Sequence, residues 1–174
     1  MYTYEEKPDP KLRILKAVIF LSAGIIAGMI AARIFVLPYN ASDDSMKPNI
    51  SPGDRAIICR FKDPSPGDIV LVKSPVEPDR ALLKRIMAAE GDTVEVRNKI
   101  IYVNDSVYRF KWKTNSSDTR VFPMHFTGRD TMPAVKLERR QFFLLNDNLD
   151  NSFDSRNFGP VDDEAVIGVM IYKM

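Results

Sequence analysis

The chain has 174 residues, 28% of them charged and 45% apolar, with a formal net charge of +2. This is enough chain for one domain with a modest core, and the composition excludes a disordered polymer. A charge so near balance, with no dominant basic run, gives no footing for a nucleic-acid partner.

Cysteine and histidine occur once each, as Cys59 and His125, so no internal disulfide forms and neither a zinc site nor a Cys-His pair is expected. Cys59, in the run Ala56-Ile57-Ile58-Cys59, reads as a small buried hydrophobe. A Ser-His-Asp triad would have to draw on His125, so the chemistry is expected to use another base.

In chain order, residues 1–13 are polar, with Glu5, Glu6, Pro8 and Pro10 close together, and read as a flexible tail. Residues 14–37 are almost wholly apolar. As a helix they are long enough to cross about 30 Å of hydrocarbon. Lys16 and Arg33 lie near the ends, where long side chains reach the interface. Lys7, Lys11, Arg13 and Lys16 precede the span, and after Arg33 the next basic residue is Lys47. This asymmetry predicts a cytoplasmic N-terminus, with everything after about residue 38 outside. A cleaved signal peptide would need a shorter apolar core and a small-x-small site after it, so an uncleaved anchor is expected.

Residues 38–174 read as β-rich. Short Val- and Ile-rich runs occur at 55–61, 68–73, 93–96, 99–103 and 165–172, with an apolar run at 141–145. Pro-Gly-Asp, Gly-Asp and Asn turns separate them. The expectation is a mainly β fold, an antiparallel sandwich or barrel-like domain preceded by one transmembrane helix. Residues 106–140 are more polar and are expected as an excursion from that core. Trp112 within them suits either the membrane surface or packing into the domain.

Three segments carry candidate chemistry. In Asp44-Ser45-Met46-Lys47-Pro48, Ser45 is a turn residue by default. It becomes a nucleophile only with a base and an oxyanion donor beside it. In Leu82-Leu83-Lys84-Arg85-Ile86-Met87, Lys84 sits among apolar residues of a strand. Burial would disfavour its ammonium form and make it a base near neutral pH. Arg85 alternates to the opposite face and is expected toward solvent. The third segment runs from Asn146 to Val161 and is dense in Asn, Asp and Ser. Ser152 can offer a hydroxyl to a lysine amine, and Asp154 and Arg156 suit a fixed ion pair that shapes the loop.

These segments, in this order, resemble the boxes of the type I signal peptidase family, which uses a Ser/Lys dyad. Residues 45–48 are similar to its serine box. LLKRIMAAEGDTVE is similar to its lysine box. NDNLDNSFDSRNFGPV is similar to its last box, and the likeness covers residues 42–105 and 141–172. The resemblance implies a membrane-bound serine endopeptidase. In it Ser45 attacks the scissile carbonyl, Lys84 is the general base, and the Ser45 N–H contributes to the oxyanion hole. Ser152 orients Lys84, Met46 shapes the substrate pocket, and Asp154 and Arg156 hold the scaffold. It implies no metal and no organic cofactor. The implied partners are preproteins with Ala-x-Ala-type cleavage sites bound as an added strand, the lipid bilayer and the export machinery. The implied place is a bacterial-type cytoplasmic membrane.

Five positions depart from the family pattern. Asp43 stands where a small or hydroxyl residue is common, so its carboxylate points away, or Ser42 substitutes, or the site is slower. Asn146 stands for a glycine. Glu90 stands for a proline, and Glu138 and Arg140 stand where a proline and a glycine are common. Two other functions remain open: a maturation peptidase dedicated to one secretion or conjugation system, and a non-catalytic relative that binds signal peptides.

Overall fold

The computed structural model describes residues 9–77 and 79–174, without the side chains of Ala31 and Ala32. The tail reading of residues 1–8 lies outside the described residues. The chain divides into two units, residues 1–36 and 37–174.

The first unit is α1 (Pro10–Phe35), about 39 Å long at 1.5 Å per residue. It starts before the apolar run because Asp9 caps it. Asp9 Oδ1 accepts from the Lys11 N–H at 2.9 Å, and Pro10 takes the first helical position, where no N–H is needed. It ends at Phe35, short of the expected residue 37. Pro38 offers no N–H and disfavours helical geometry at Leu37, so Val36 and Leu37 instead open strand β1 (Val36–Asn40). Ile14, Leu15, Val18, Phe20, Ile26 and Ile30 all project outward uncovered, and an 18-residue window of the helix has a mean hydropathy of 2.3. By length and composition α1 is able to cross a membrane, and it fits a membrane anchor.

The second unit is mainly β. Its larger sheet runs in the order β1, β2 (Arg55–Cys59), β11 (Val166–Lys173), β3 (Ile69–Lys73), β4 (Ala81–Ala88), β9 (Gln141–Leu145) and β10 (Val161–Asp162). The smaller sheet runs β7 (Ser106–Val107), β6 (Ile100–Val103), β5 (Thr93–Arg97), β8 (Met132–Lys136). The ladders from β2 to β10, and all of those in the smaller sheet, are antiparallel. Asn98 and Lys99 both take positive φ (47° and 69°), as do Asn104 and Asp105 (51° and 62°). These two-residue turns match the twist of the hairpins they close.

The segment expected as an excursion contributes both edge strands of the smaller sheet, β7 and β8. Pro133 within β8 cannot donate to a ladder, and an edge is where a strand tolerates it. The sheets meet through Met87, Ala88, Phe143 and Leu145, which pack on Val94, Val96, Ile101 and Met132. β3 is buried on both faces. Ile69 and Leu71 join one core with Met46, Ile50 and Leu83, while Val70 and Val72 join another with Leu82, Ile86 and Leu144. That explains its unbroken apolar run. Cys59 is half-buried at the end of β2 rather than fully buried.

Candidate active site

Lys84 lies mid-β4, in register with Val70 of β3. Strand alternation puts it on the face that carries Leu82 and Ile86, and the side chain is 1% exposed. Burial is the main cause that pulls its amine down from the ordinary 10.5 to about 8; Asp154 and Asp43 oppose the fall, and Arg80 and Arg156 add to it. A lysine so placed is part neutral near physiological pH and has a lone pair to offer.

Its hydrogen-bond partner is Asn146. Lys84 Nζ donates to Asn146 Oδ1 at 2.7 Å, with both side chains buried. Asn146 follows Leu144 by two residues and so continues the same face. The amide has one sensible orientation, since its Nδ2 donates to Asn151 O at 2.9 Å and thereby aims Oδ1 at the lysine. Among the described residues no hydrogen bond joins Ser152 to Lys84.

Ser45 sits in a turn in which the Met46 carbonyl accepts from the N–H groups of Asn49 and Ile50. The turn is tied to the distant loop by Asn148, whose N–H donates to Ser45 O at 2.9 Å and whose Nδ2 donates to Asp44 O at 3.3 Å. Asp43 points at Ser45. Its Oδ1 accepts from Ser45 Oγ at 2.5 Å and from the Ser45 N–H at 3.0 Å. Burial alone would raise the Asp43 carboxyl. The two donors of Ser45, with the charges of Lys84 and Arg80, outweigh burial and hold it below the usual carboxylate range. Met46 is buried and lines a small cleft with Tyr39, Ala41, Ser42, Asp43 and Leu83. The Tyr39 hydroxyl donates across that cleft to Ala81 O at 2.8 Å.

The third segment folds around Asp154, which is fully buried. It caps the short helix α2 (Ser155–Phe158), accepts from Arg156 Nε and Nη2 at 2.9 and 2.8 Å, and receives the Asn146 N–H at 3.0 Å. Arg156 also donates to Leu149 O and Asn151 O. This one ion pair fixes the backbone at Asn146 and in the loop that follows it, at Leu149 and Asn151.

Arg85 corrects the reading of the sequence. It does face away from Lys84, but that face is covered, so it is buried rather than solvated. It grips Asp147 through two bonds of 2.7 and 2.6 Å, donates to Gly67 O, and lies 4.5 Å from the Trp112 ring centre. Trp112 thus packs into the domain, against Arg85, Tyr108 and Phe110. Alternation gives a strand residue's face but not what lies over it. The reading also missed the Asn146 side chain, Tyr39 and Arg80. For Asn146 the signal was present, a polar side chain where backbone freedom was expected, and its φ is not among the positive ones.

A helix able to anchor the chain, ahead of a β domain that buries a lysine of lowered pKa, suits a membrane-anchored hydrolase. A family model described as "Signal peptidase, peptidase S26" matches residues 12–174, and the chain belongs to that family of signal-peptide-cleaving serine peptidases. Thylakoidal processing peptidase 1 of Arabidopsis thaliana is 31% identical over 150 residues, covering 78% of this chain and 41% of its own length. Signal peptidase I V of Bacillus subtilis is 27% identical, covering 85% of this chain and 93% of its own. Signal peptidase IB of Staphylococcus aureus is 25% identical, covering 94% and 90%. A crystal structure of a signal peptidase I from Enterococcus faecalis aligns with a TM-score of 0.48 at 25% identity, over 63% of this chain and 98% of that one.

Proposed function

We propose that this chain cleaves signal peptides from exported preproteins with Ser45 as nucleophile and Lys84 as general base. The observation that carries the assignment is Lys84 itself. It is a buried lysine with a lowered pKa, within electrostatic reach of the carboxylate that holds Ser45. A purely structural core has no use for such a group.

The proton balance is simple. Neutral Lys84 takes the Ser45 Oγ proton as Oγ bonds to the scissile carbonyl carbon, and the oxyanion accepts from the Ser45 N–H. Collapse breaks the C–N bond, and the Lys84 ammonium protonates the leaving amine. Water then attacks the ester, its proton passes to Lys84, and on collapse that proton returns to Ser45 Oγ.

The substrate runs as an added strand along β4, where residues 81–84 lie beyond the part paired with β9. The narrow cleft beside Met46 suits the small side chains of Ala-x-Ala sites. Asp154 and Arg156 hold the scaffold, and Ser152 assists Lys84 as the substrate binds. The N-terminus faces the cytoplasm and the β domain lies outside a bacterial-type cytoplasmic membrane, where the export machinery delivers preproteins.

The test is preprotein cleavage by the full-length protein in detergent. Ser45→Ala and Lys84→Met are each expected to lose at least about 100-fold in rate. Wild-type rates in both variants reject the dyad. Asp43 on the Ser45 donors favours a second reading, signal-peptide binding without turnover; a wild-type protein that binds and never cleaves establishes it. Cleavage of a single preprotein from a varied panel marks a dedicated maturation peptidase.

A further inference from the structure

Asp43 Oδ1 engages both groups of Ser45 that the proposed reaction needs. It takes the N–H at 3.0 Å and the hydroxyl at 2.5 Å. A charged oxygen in that place sits as the developing oxyanion would, on the same donor. While it stays there, the Ser45 proton is directed at a carboxylate and not at Lys84, and the N–H is taken.

We infer that Asp43 is a built-in competitor for the oxyanion donor, which closes the resting site and opens it by turning its carboxylate to Arg80. The inference rests on the reading of Ser45 as nucleophile. Arg80 is already the partner of the outer oxygen, with Nη2 3.4 Å from Asp43 Oδ2. The two side chains are 43% and 41% exposed, so the carboxylate can rotate without disturbing the core. Asp43 also lines the cleft bounded by Tyr39, Ala41, Ser42, Met46 and Leu83. A substrate side chain that enters the cleft meets Asp43 in its wall, and the arriving carbonyl then claims the vacated N–H. Opening is thereby tied to occupancy, and water finds the site closed. Asp43 acts through Ser45 and is a positioning residue.

The test uses the full-length protein in detergent, with kcat/KM for a preprotein measured at pH 10. At that pH Lys84, which titrates at about 8, is neutral, so its ionisation is not what is read. Asp43→Gly removes the carboxylate without adding a donor, and Asp43→Asn keeps its shape without the charge. Both are expected to raise kcat/KM roughly tenfold or more, the scale of one charge-assisted hydrogen bond. Arg80→Ala is expected to lower it several-fold in the wild-type background and to have no effect beside Asp43→Gly. Unchanged or slower cleavage by both Asp43 variants, with thermal unfolding intact, overturns the inference. An equal Arg80→Ala effect in the two backgrounds overturns the role of Arg80. Ser45→Ala separates the two ideas. If it is inactive while the Asp43 variants are slow, only the gate is lost; if it is active, the nucleophile assignment falls first.

Discussion

Lys84 ties stability to activity through one proton. Its folded pKa, about 8, lies below the ordinary 10.5. Below pH 8 both folded and unfolded chains hold the proton, and folding must bury a charge. Between 8 and 10.5 the unfolded chain binds more protons, so stability rises with pH across that window, by about 3 kcal/mol if the whole shift is expressed. Urea unfolding at pH 7.5 and pH 10 checks this, and Lys84→Met is expected to abolish the rise. Cleavage by the wild type is expected to climb through about pH 8 as the amine loses its proton. Asn146→Asp places a carboxylate at the 2.7 Å partner position and should move that midpoint up by about one unit or more. An unmoved midpoint would show that the group read by the pH profile is not Lys84. Ser45, Lys84 and the Asp154–Arg156 pair were legible in the sequence because each lies in a distinctive run. The direction of the Asp43 carboxylate was not, since no local pattern fixes the rotamer of a partly exposed side chain.

At the level of elements, backbone approach and paired departures matter more than propensity. A Cβ on Gly128 would run into the carbonyl of Arg156, backbone against backbone. Gly128→Ala is expected to cost about 1–3 kcal/mol in chemical denaturation, by prising the segment between β7 and β8 off the loop that holds Asn146. The residues that depart from the family pattern before β9 compensate one another. Arg140 occupies a positive φ of 63°, which suits the glycine common there, and its N–H donates to Glu90 at 2.9 Å, the residue in place of a proline. A double-mutant cycle on Glu90→Pro and Arg140→Gly is expected to show coupling of about 0.5 kcal/mol or more. Five strands could be read from their Val and Ile content, and β9 from its apolar run. β1, β7, β8 and β10 could not, because they are edge strands of two to five residues whose pairing is set by tertiary contacts.

On the scale of the whole molecule, all three apolar cores draw their residues from 37–174. A chain that begins at Leu37 is therefore expected to fold and to cleave a soluble peptide, while losing co-sedimentation with lipid vesicles. Retained vesicle binding by that truncated chain would show that α1 is not the main anchor. The order of strands in the larger sheet carries a different consequence. β11 follows every other strand in the sequence, yet it lies between β2 and β3. Until it arrives, each of those early strands presents a bare edge. The nucleophile turn is likewise held by Asn148, more than a hundred residues downstream of Asp44. During synthesis the anchor and Ser45 emerge long before the strand and loop that complete them. A nascent or prematurely terminated chain is thus no protease at all, but a sticky half-sheet for quality control to remove, and hydrolytic activity arrives only with the finished protein.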